Sequence, residues 1–188
     1  EGVTAAARAA VVIGQISARR MHRASIPAPP PAWQDRGMPD LPSSPSTSPA
    51  APLPAGFRLT RSAPTRREYV RLRQVAGLSP RTAAQAAGAL ANSWAWAAVR
   101  TAEGDLAAMG RVIGDGTWYF HLADVATEPA QQRQGLGRAV MEDLLARIDA
   151  AAPPHPYITL LADPPGQRLY RSLGFVDSAP SVGMRLPR

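Results

Sequence analysis

An α+β domain with one βαβ crossover is the fold this sequence predicts, on three observations. Short apolar or alternating segments separated by glycine-containing turns run from Gly56 to Thr127, the pattern of successive strands and hairpins. One amphipathic helix, Arg138 to Ala150, then stands between two strand-like runs, the pattern of a crossover connection. The chain has 188 residues with 45% hydrophobic content, enough to bury one core of ordinary size.

Taken in order, Gly56-Phe57-Arg58-Leu59-Thr60-Arg61 alternates as a first strand. Arg66 to Ala76 carries Tyr69, Val70, Leu72 and Val75 at helical spacing and meets Gly77, a residue suited to end a helix. Ser79-Pro80 opens a second, alanine-rich helix that runs to about Ala91. Trp94 to Thr101 reads as a strand, Glu103-Gly104-Asp105 as a hairpin turn, and Leu106 to Ile113 as the partner strand. Gly114-Asp115-Gly116 turns the chain into a further strand, Thr117 to Thr127. In the helix that follows, Val140, Met141, Leu144, Leu145 and Ile148 share one face, and Pro153-Pro154 ends it. Tyr157 to Ala162 is a buried apolar strand, Gln167 to Leu173 a short helix, and Phe175 to Arg185 a closing strand pair.

Residues 1–55 have a different composition. Ten of the 28 residues from Pro27 to Pro54 are proline, which fixes φ and removes backbone donors, so an extended, disordered tail is expected ahead of a folded domain at 56–188. The Ala/Val-rich start is a poor secretory signal, because Glu1 opens it and Arg19-Arg20 follow the apolar run instead of preceding it. No stretch of about 18 uncharged apolar residues occurs, so neither a membrane helix nor a membrane partner is expected. The absence of cysteine removes disulfides, thiolate metal sites and a cysteine nucleophile, and three histidines are few for a metal site. With no targeting signal recognised, the cytoplasm is the expected location. The net charge of +7 comes entirely from arginine. Those arginines are scattered and aromatics are only 6%, so no nucleic-acid stripe is present and no nucleic-acid partner is expected.

Chemistry concentrates in Gln132-Arg133-Gln134-Gly135-Leu136-Gly137-Arg138, between a strand and a helix. Backbone N–H groups at a helix start attract phosphate oxygens, and glycine lets the backbone come close to them. Arg133 and Arg138 add positive charge. No Lys-Ser/Thr follows, and the third glycine of a dinucleotide fingerprint is absent. Gln132-x-x-Gly135-x-Gly137, after a strand ending Val125-Ala126-Thr127, resembles the coenzyme A pyrophosphate loop of the GNAT superfamily of N-acetyltransferases. Leu169-Tyr170-Arg171-Ser172-Leu173-Gly174-Phe175 resembles the family's second motif, Tyr-x-x-Leu-Gly-Phe. Ile158 to Asp163, with Tyr170, Gly174-Phe175 and Gly183-Met184, is similar to plant-type serotonin N-acetyltransferase-like proteins.

The resemblance implies a mixed, mostly antiparallel sheet of about six to seven strands with about four helices. It implies acetyl-CoA as co-substrate, bound by the main chain of Val125, Ala126 and Thr127 and by Gln132, Arg133, Gln134, Gly135, Leu136, Gly137 and Arg138, with no metal. It implies attack by a small-molecule primary amine on the thioester, with no covalent intermediate. His121 matches a strand position where relatives place a base, and Tyr170 matches the family's proton donor to the thiolate. Strand alternation puts Asp124 on the face opposite His121. The family often has Asn seven residues before the tyrosine and Ala three residues after that Asn; this chain has Asp163 and Gly166, with Pro164-Pro165 expected to stiffen a loop. Trp94, Trp96, Trp118 and Tyr119 read as core or interface aromatics. Acetylation of a protein or peptide, or non-catalytic sensing of coenzyme A, are the alternatives, and a homodimer joined through sheet edges or last strands fits the family.

Overall fold

The computed structural model describes residues 52–186; the expected tail therefore lies, through residue 51, outside the described residues. Strands β1 (Phe57–Thr60), β2 (Ala95–Thr101), β3 (Leu106–Gly114) and β4 (Tyr119–Thr127) form an antiparallel meander, and β5 (Tyr157–Leu160) joins β4 in parallel. The strand order is β1-β2-β3-β4-β5. Helices α1 (Arg66–Val75) and α2 (Ala83–Asn92) connect β1 to β2, α3 (Leu136–Ala151) is the crossover, and α4 (Pro164–Ser172) follows β5.

Five strands form among the described residues, one or two fewer than expected, because Phe175 to Arg185 does not pair into strands. Phe175 packs against the core, but beyond it the apolar side chains find no face to bury: Val182 is 72% exposed and Met184 88%. A hairpin without a buried face has neither the stability nor the fixed register of a sheet.

Both early helices begin at reciprocal caps. Thr65 Oγ1 accepts from the Glu68 N–H while Glu68 Oε2 accepts from the Thr65 N–H at 2.7 Å, and Thr82 with Gln85 repeats the arrangement. That second box starts α2 at Ala83, after the expected Ser79-Pro80; the Ser79 carbonyl instead accepts two bonds from Arg73, at 2.8 and 3.2 Å.

The sheet is covered on both faces. Val140, Met141, Leu144 and Ile148 of α3 pack on Val99, Val112, Phe120 and Leu122. Tyr69, Leu72 and Ala86 of α1 and α2 pack on Trp96, Ala98, Met109 and Ala126. Gly110 allows α3 to come close, since a Cβ there would stand 2.7 Å from Val140 Cγ1.

A bulge interrupts the β3–β4 ladder. Arg111 pairs with Ala123 and Met109 with Ala126, so Gly110 opposes both Asp124 and Val125, and Asp124 takes a positive φ of 56°. The extra residue shifts the side-chain alternation. Phe120, Leu122 and Val125 face α3, whereas His121, Asp124 and Ala126 face α1 and α2. Asp124 therefore shares the face of His121, and simple alternation assigned it to the wrong side.

Candidate active site

β4 and β5 pair from Tyr119 and Tyr157 only as far as Leu122 and Leu160. Beyond that point β4 continues to Thr127 with no β5 partner, so the two strands part and leave one side of Ala123 to Thr127 open. A 3-10 turn, Pro129–Gln131, leads from the end of β4 into the loop ahead of α3.

Two glycines shape this loop. Gly135 caps α3 with a φ of 82°, and no atom lies within 4 Å of where its Cβ would be. Its lack of a side chain leaves the first N–H groups of α3 without a side-chain cap, hence available to an anion. Gly137 packs closely: a Cβ there would lie 3.3 Å from Thr127 Oγ1, which draws the helix start against the end of β4. Gln132, Arg133 and Gln134 are exposed, Arg133 also with a positive φ of 64°. Gln132 Nε2 reaches the Thr127 carbonyl at 3.5 Å, and Gln134 Nε2 donates to Gln131.

The remaining candidate contacts are main-chain groups or side chains already engaged within the fold. Leu136 and Ala126 are buried and Val125 packs against the α3 core, so each presents only main chain to a ligand. Arg138 is engaged within the fold, donating to Ser172 Oγ at 2.5 Å and Glu142 at 3.3 Å. Its charge lies near the helix start while its guanidinium ties α3 to α4.

His121 is half-buried, and its Nδ1 lies 2.9 Å from Thr159 Oγ1 on β5. The Thr159 hydroxyl also lies 3.4 Å from the Phe120 carbonyl, to which it can donate. With the hydroxyl so turned, the ring proton sits on Nδ1 and Nε2 carries the lone pair. Burial, and then the Arg111 guanidinium, push the imidazole below its ordinary value of 6.5, with Asp124 opposing in part. The ring is thus neutral near pH 7, as a base requires.

Tyr170 on α4 is half-buried, with its ring edge-on to Phe175. Burial, and then Asp163, hold its hydroxyl above the ordinary 10, so it keeps its proton at neutral pH. It lines a cavity of about 240 Å³ with Thr159, Leu160, Gln167 and Phe175. Thr159 therefore contacts His121 and borders the cavity of Tyr170, a link that the sequence signals only through the pairing of positions 121 and 159. A larger groove of about 700 Å³, between α1, the β2–β3 turn and Glu128, contains neither His121 nor Tyr170.

Two sequence departures acquire structural meaning. Pro164 and Pro165 do not stiffen a loop; they occupy the first turn of α4, where proline's fixed φ suits helix initiation, with Asp163 at the cap position. Gly166 makes room for Tyr170, because a Cβ there would lie 2.8 Å from the ring. Among the aromatics, Trp96 is core and Trp94 packs on Phe120 at 5.0 Å, whereas Trp118 and Tyr119 are exposed. Among the described residues no cluster of His, Asp or Glu is arranged to hold a metal, and no helix is long and apolar enough to cross a membrane.

A mixed sheet whose fourth and fifth strands part beside a glycine-rich helix start is the architecture of GNAT folds. The sequence matches the acetyltransferase (GNAT) domain over residues 78–184, and the protein belongs to that family. It is 38% identical over 82 residues to a chloroplastic serotonin N-acetyltransferase of Oryza sativa subsp. japonica, a match spanning 44% of this chain and 40% of the plant enzyme. A probable acetyltransferase of unknown function from meticillin-resistant Staphylococcus aureus superimposes with a TM-score of 0.67 at 34% identity, covering 70% of this chain and 99% of that one. A GNAT-family protein from Streptococcus pneumoniae, at 20% identity and a TM-score of 0.59 over 70% of this chain and 98% of its own, shares the fold.

Proposed function

We propose that the protein transfers an acetyl group from acetyl-CoA to the primary amine of a small molecule by direct attack within a ternary complex. The observation that carries this reading is the parting of β4 and β5 after Leu122 and Leu160, with His121 one residue before the parting and the uncapped start of α3 at its mouth. Bound acetyl-CoA supplies the activated acyl group as a thioester. The open side of Val125, Ala126 and Thr127 offers main-chain groups to an amide-bearing arm, as in strand addition. The N–H groups at Gly135, Leu136 and Gly137, with exposed Gln132, Arg133 and Gln134, face the pyrophosphate, and Arg138 contributes charge.

An amine that is protonated in water must lose a proton before it attacks, and His121 Nε2 accepts it. Held by Thr159 through Nδ1, the ring cannot turn away without losing that bond. Tyr170, which retains its proton, donates to the departing sulfur. The reading includes a cytoplasmic location, in keeping with the cysteine-free sequence, and a homodimer joined through sheet edges or last strands.

The test is thiol release by the full chain with acetyl-CoA and a panel of amines, amino acids and short peptides. Turnover on small amines that falls about 10²-fold or more in His121→Ala and in Tyr170→Phe is expected. Turnover confined to peptides would replace the small-molecule acceptor with a protein one. Coenzyme binding without turnover on any acceptor would leave a sensor.

A further inference from the structure

Around His121 the sheet face toward α1 and α2 carries a charged feature and an apolar one that acetyl transfer alone does not require. On the side toward the end of β4, Asp124 accepts from Arg73 Nη1, from Arg111 Nε at 2.5 Å and from the Tyr69 hydroxyl at 2.6 Å. Arg73 is 3% exposed and donates from Nε and Nη2 to the Ser79 carbonyl. Arg111 gives Nη1 to Ser93 Oγ at 3.1 Å, while its Nη2 has no partner among the described residues. Two guanidiniums share one carboxylate, so the cluster carries one excess positive charge, and Arg111 (15% side-chain exposure) is its more open member.

On the other side the surface is apolar. The register sets Ile113 beside His121, and Tyr119 beside Tyr157 one side-chain repeat away. These three are 41%, 39% and 48% exposed, and the two tyrosine rings lie 5.4 Å apart. Same-face neighbours along a strand stand about 6.6 Å apart and adjacent strands about 4.8 Å, so the base, the free guanidinium edge and the aromatic floor fall within reach of one small molecule.

An amine, an anion and a large apolar group attached to a single carbon define an α-amino acid. We infer that the acceptor is a free α-amino acid with a large apolar or aromatic side chain, its carboxylate on Arg111 and its side chain on Ile113, Tyr119 and Tyr157. The inference rests on reading His121 as the base that faces the amine. An aromatic amine without a carboxylate leaves the charge of Arg111 unanswered, and a polyamine sets a second cation beside it.

Calorimetry with coenzyme A present tests the assignment through two product-like ligands that differ only in the carboxylate, N-acetyl-L-phenylalanine and N-acetylphenethylamine. The acid is expected to bind about tenfold or more tightly, the scale of a partly buried charge-assisted contact, and Arg111→Met to erase the difference. Because Arg111 also holds the Asp124 cluster, Tyr157→Ser at the exposed edge serves as a second variant; it should weaken both ligands and preserve the carboxylate preference. Equal affinities, a preference for the neutral ligand, or unchanged binding in Tyr157→Ser would overturn the inference. Thiol release on L-phenylalanine and phenethylamine separates the two readings. Better turnover on phenethylamine contradicts the amino-acid acceptor and leaves acetyl transfer standing. Carboxylate-dependent binding without turnover supports the amino-acid site and contradicts acetyl transfer.

Discussion

Replacing Asp124 by alanine removes the one carboxylate that two arginines and a tyrosine share. The side chain is 12% exposed, and its three donors come from α1 and β3. Breaking a buried charge network by removing one partner costs about 3–5 kcal/mol. Arg73 keeps two bonds to the Ser79 carbonyl and Arg111 keeps Ser93, so neither guanidinium is left bare and the lower end applies. The positive φ of 56° adds about 1 kcal/mol, since alanine disfavours that region more than aspartate does. The sum is about 4 kcal/mol, a lowering of Tm by roughly 10–15 °C for a domain of this size. Asp124→Asn tolerates the backbone and keeps an acceptor oxygen, so it should lose about half as much. Burial alone would raise the Asp124 carboxyl, but the Tyr69 hydrogen bond and the two arginines outweigh it and hold the group below its ordinary 3.8. A depressed carboxylate contributes its full stability above the unfolded value and loses it as pH falls toward the folded one. The gap in Tm between wild type and Asp124→Ala should therefore be widest near pH 7 and shrink below about pH 4. Thermal unfolding followed by circular dichroism across pH 3–8 reads both quantities. A Tm change under about 3 °C, or a gap that does not narrow in acid, would refute the reasoning.

Three further outcomes follow from the same geometry. The acid limb of kcat/KM should fall below the ordinary histidine value of 6.5, because burial and Arg111 depress His121, and activity should rise as pH increases through that limb; a limb above 6.5 would contradict a desolvated base. Gly110→Ala places a methyl 2.7 Å from Val140 Cγ1 and should cost about 1–3 kcal/mol in chemical denaturation, whereas Gly77→Ala, with open space around it, should cost only its left-handed backbone term of about 1 kcal/mol. Gly166→Ala sets a Cβ 2.8 Å from the Tyr170 ring and should lower kcat about tenfold by displacing the donor, with coenzyme affinity unchanged; a weaker affinity at constant kcat would point to a binding role instead.

Local chemistry made much of this fold legible in the sequence. The β2–β3 hairpin, the α3 face of Val140, Leu144 and Ile148, and the glycines at 135 and 137 each follow from the residues that form them. Where the sequence misled, longer-range interactions decided the outcome. Ser79-Pro80 looked like a helix start, but the Thr82–Gln85 box, itself a readable pattern, provides better caps while Arg73 takes the Ser79 carbonyl. Asp124 was assigned to the wrong face because a bulge depends on the pairing partner, here Gly110, and not on the residues of β4 alone. The burial of Arg73, and the Thr159 hydroxyl that orients His121, depend on chain positions 51 and 38 residues away from their partners. Beyond Phe175, the strand-like residues up to Arg185 lack a buried face to fix them.

The central claim is that the parted strands and the start of α3 hold acetyl-CoA. Calorimetric titration of acetyl-CoA into the full chain, repeated with Gly135→Val, tests it most directly. One site with a dissociation constant on the order of micromolar is predicted, weakened about tenfold or more by a side chain placed at the left-handed cap. Absence of binding, or binding indifferent to Gly135→Val, would contradict the account.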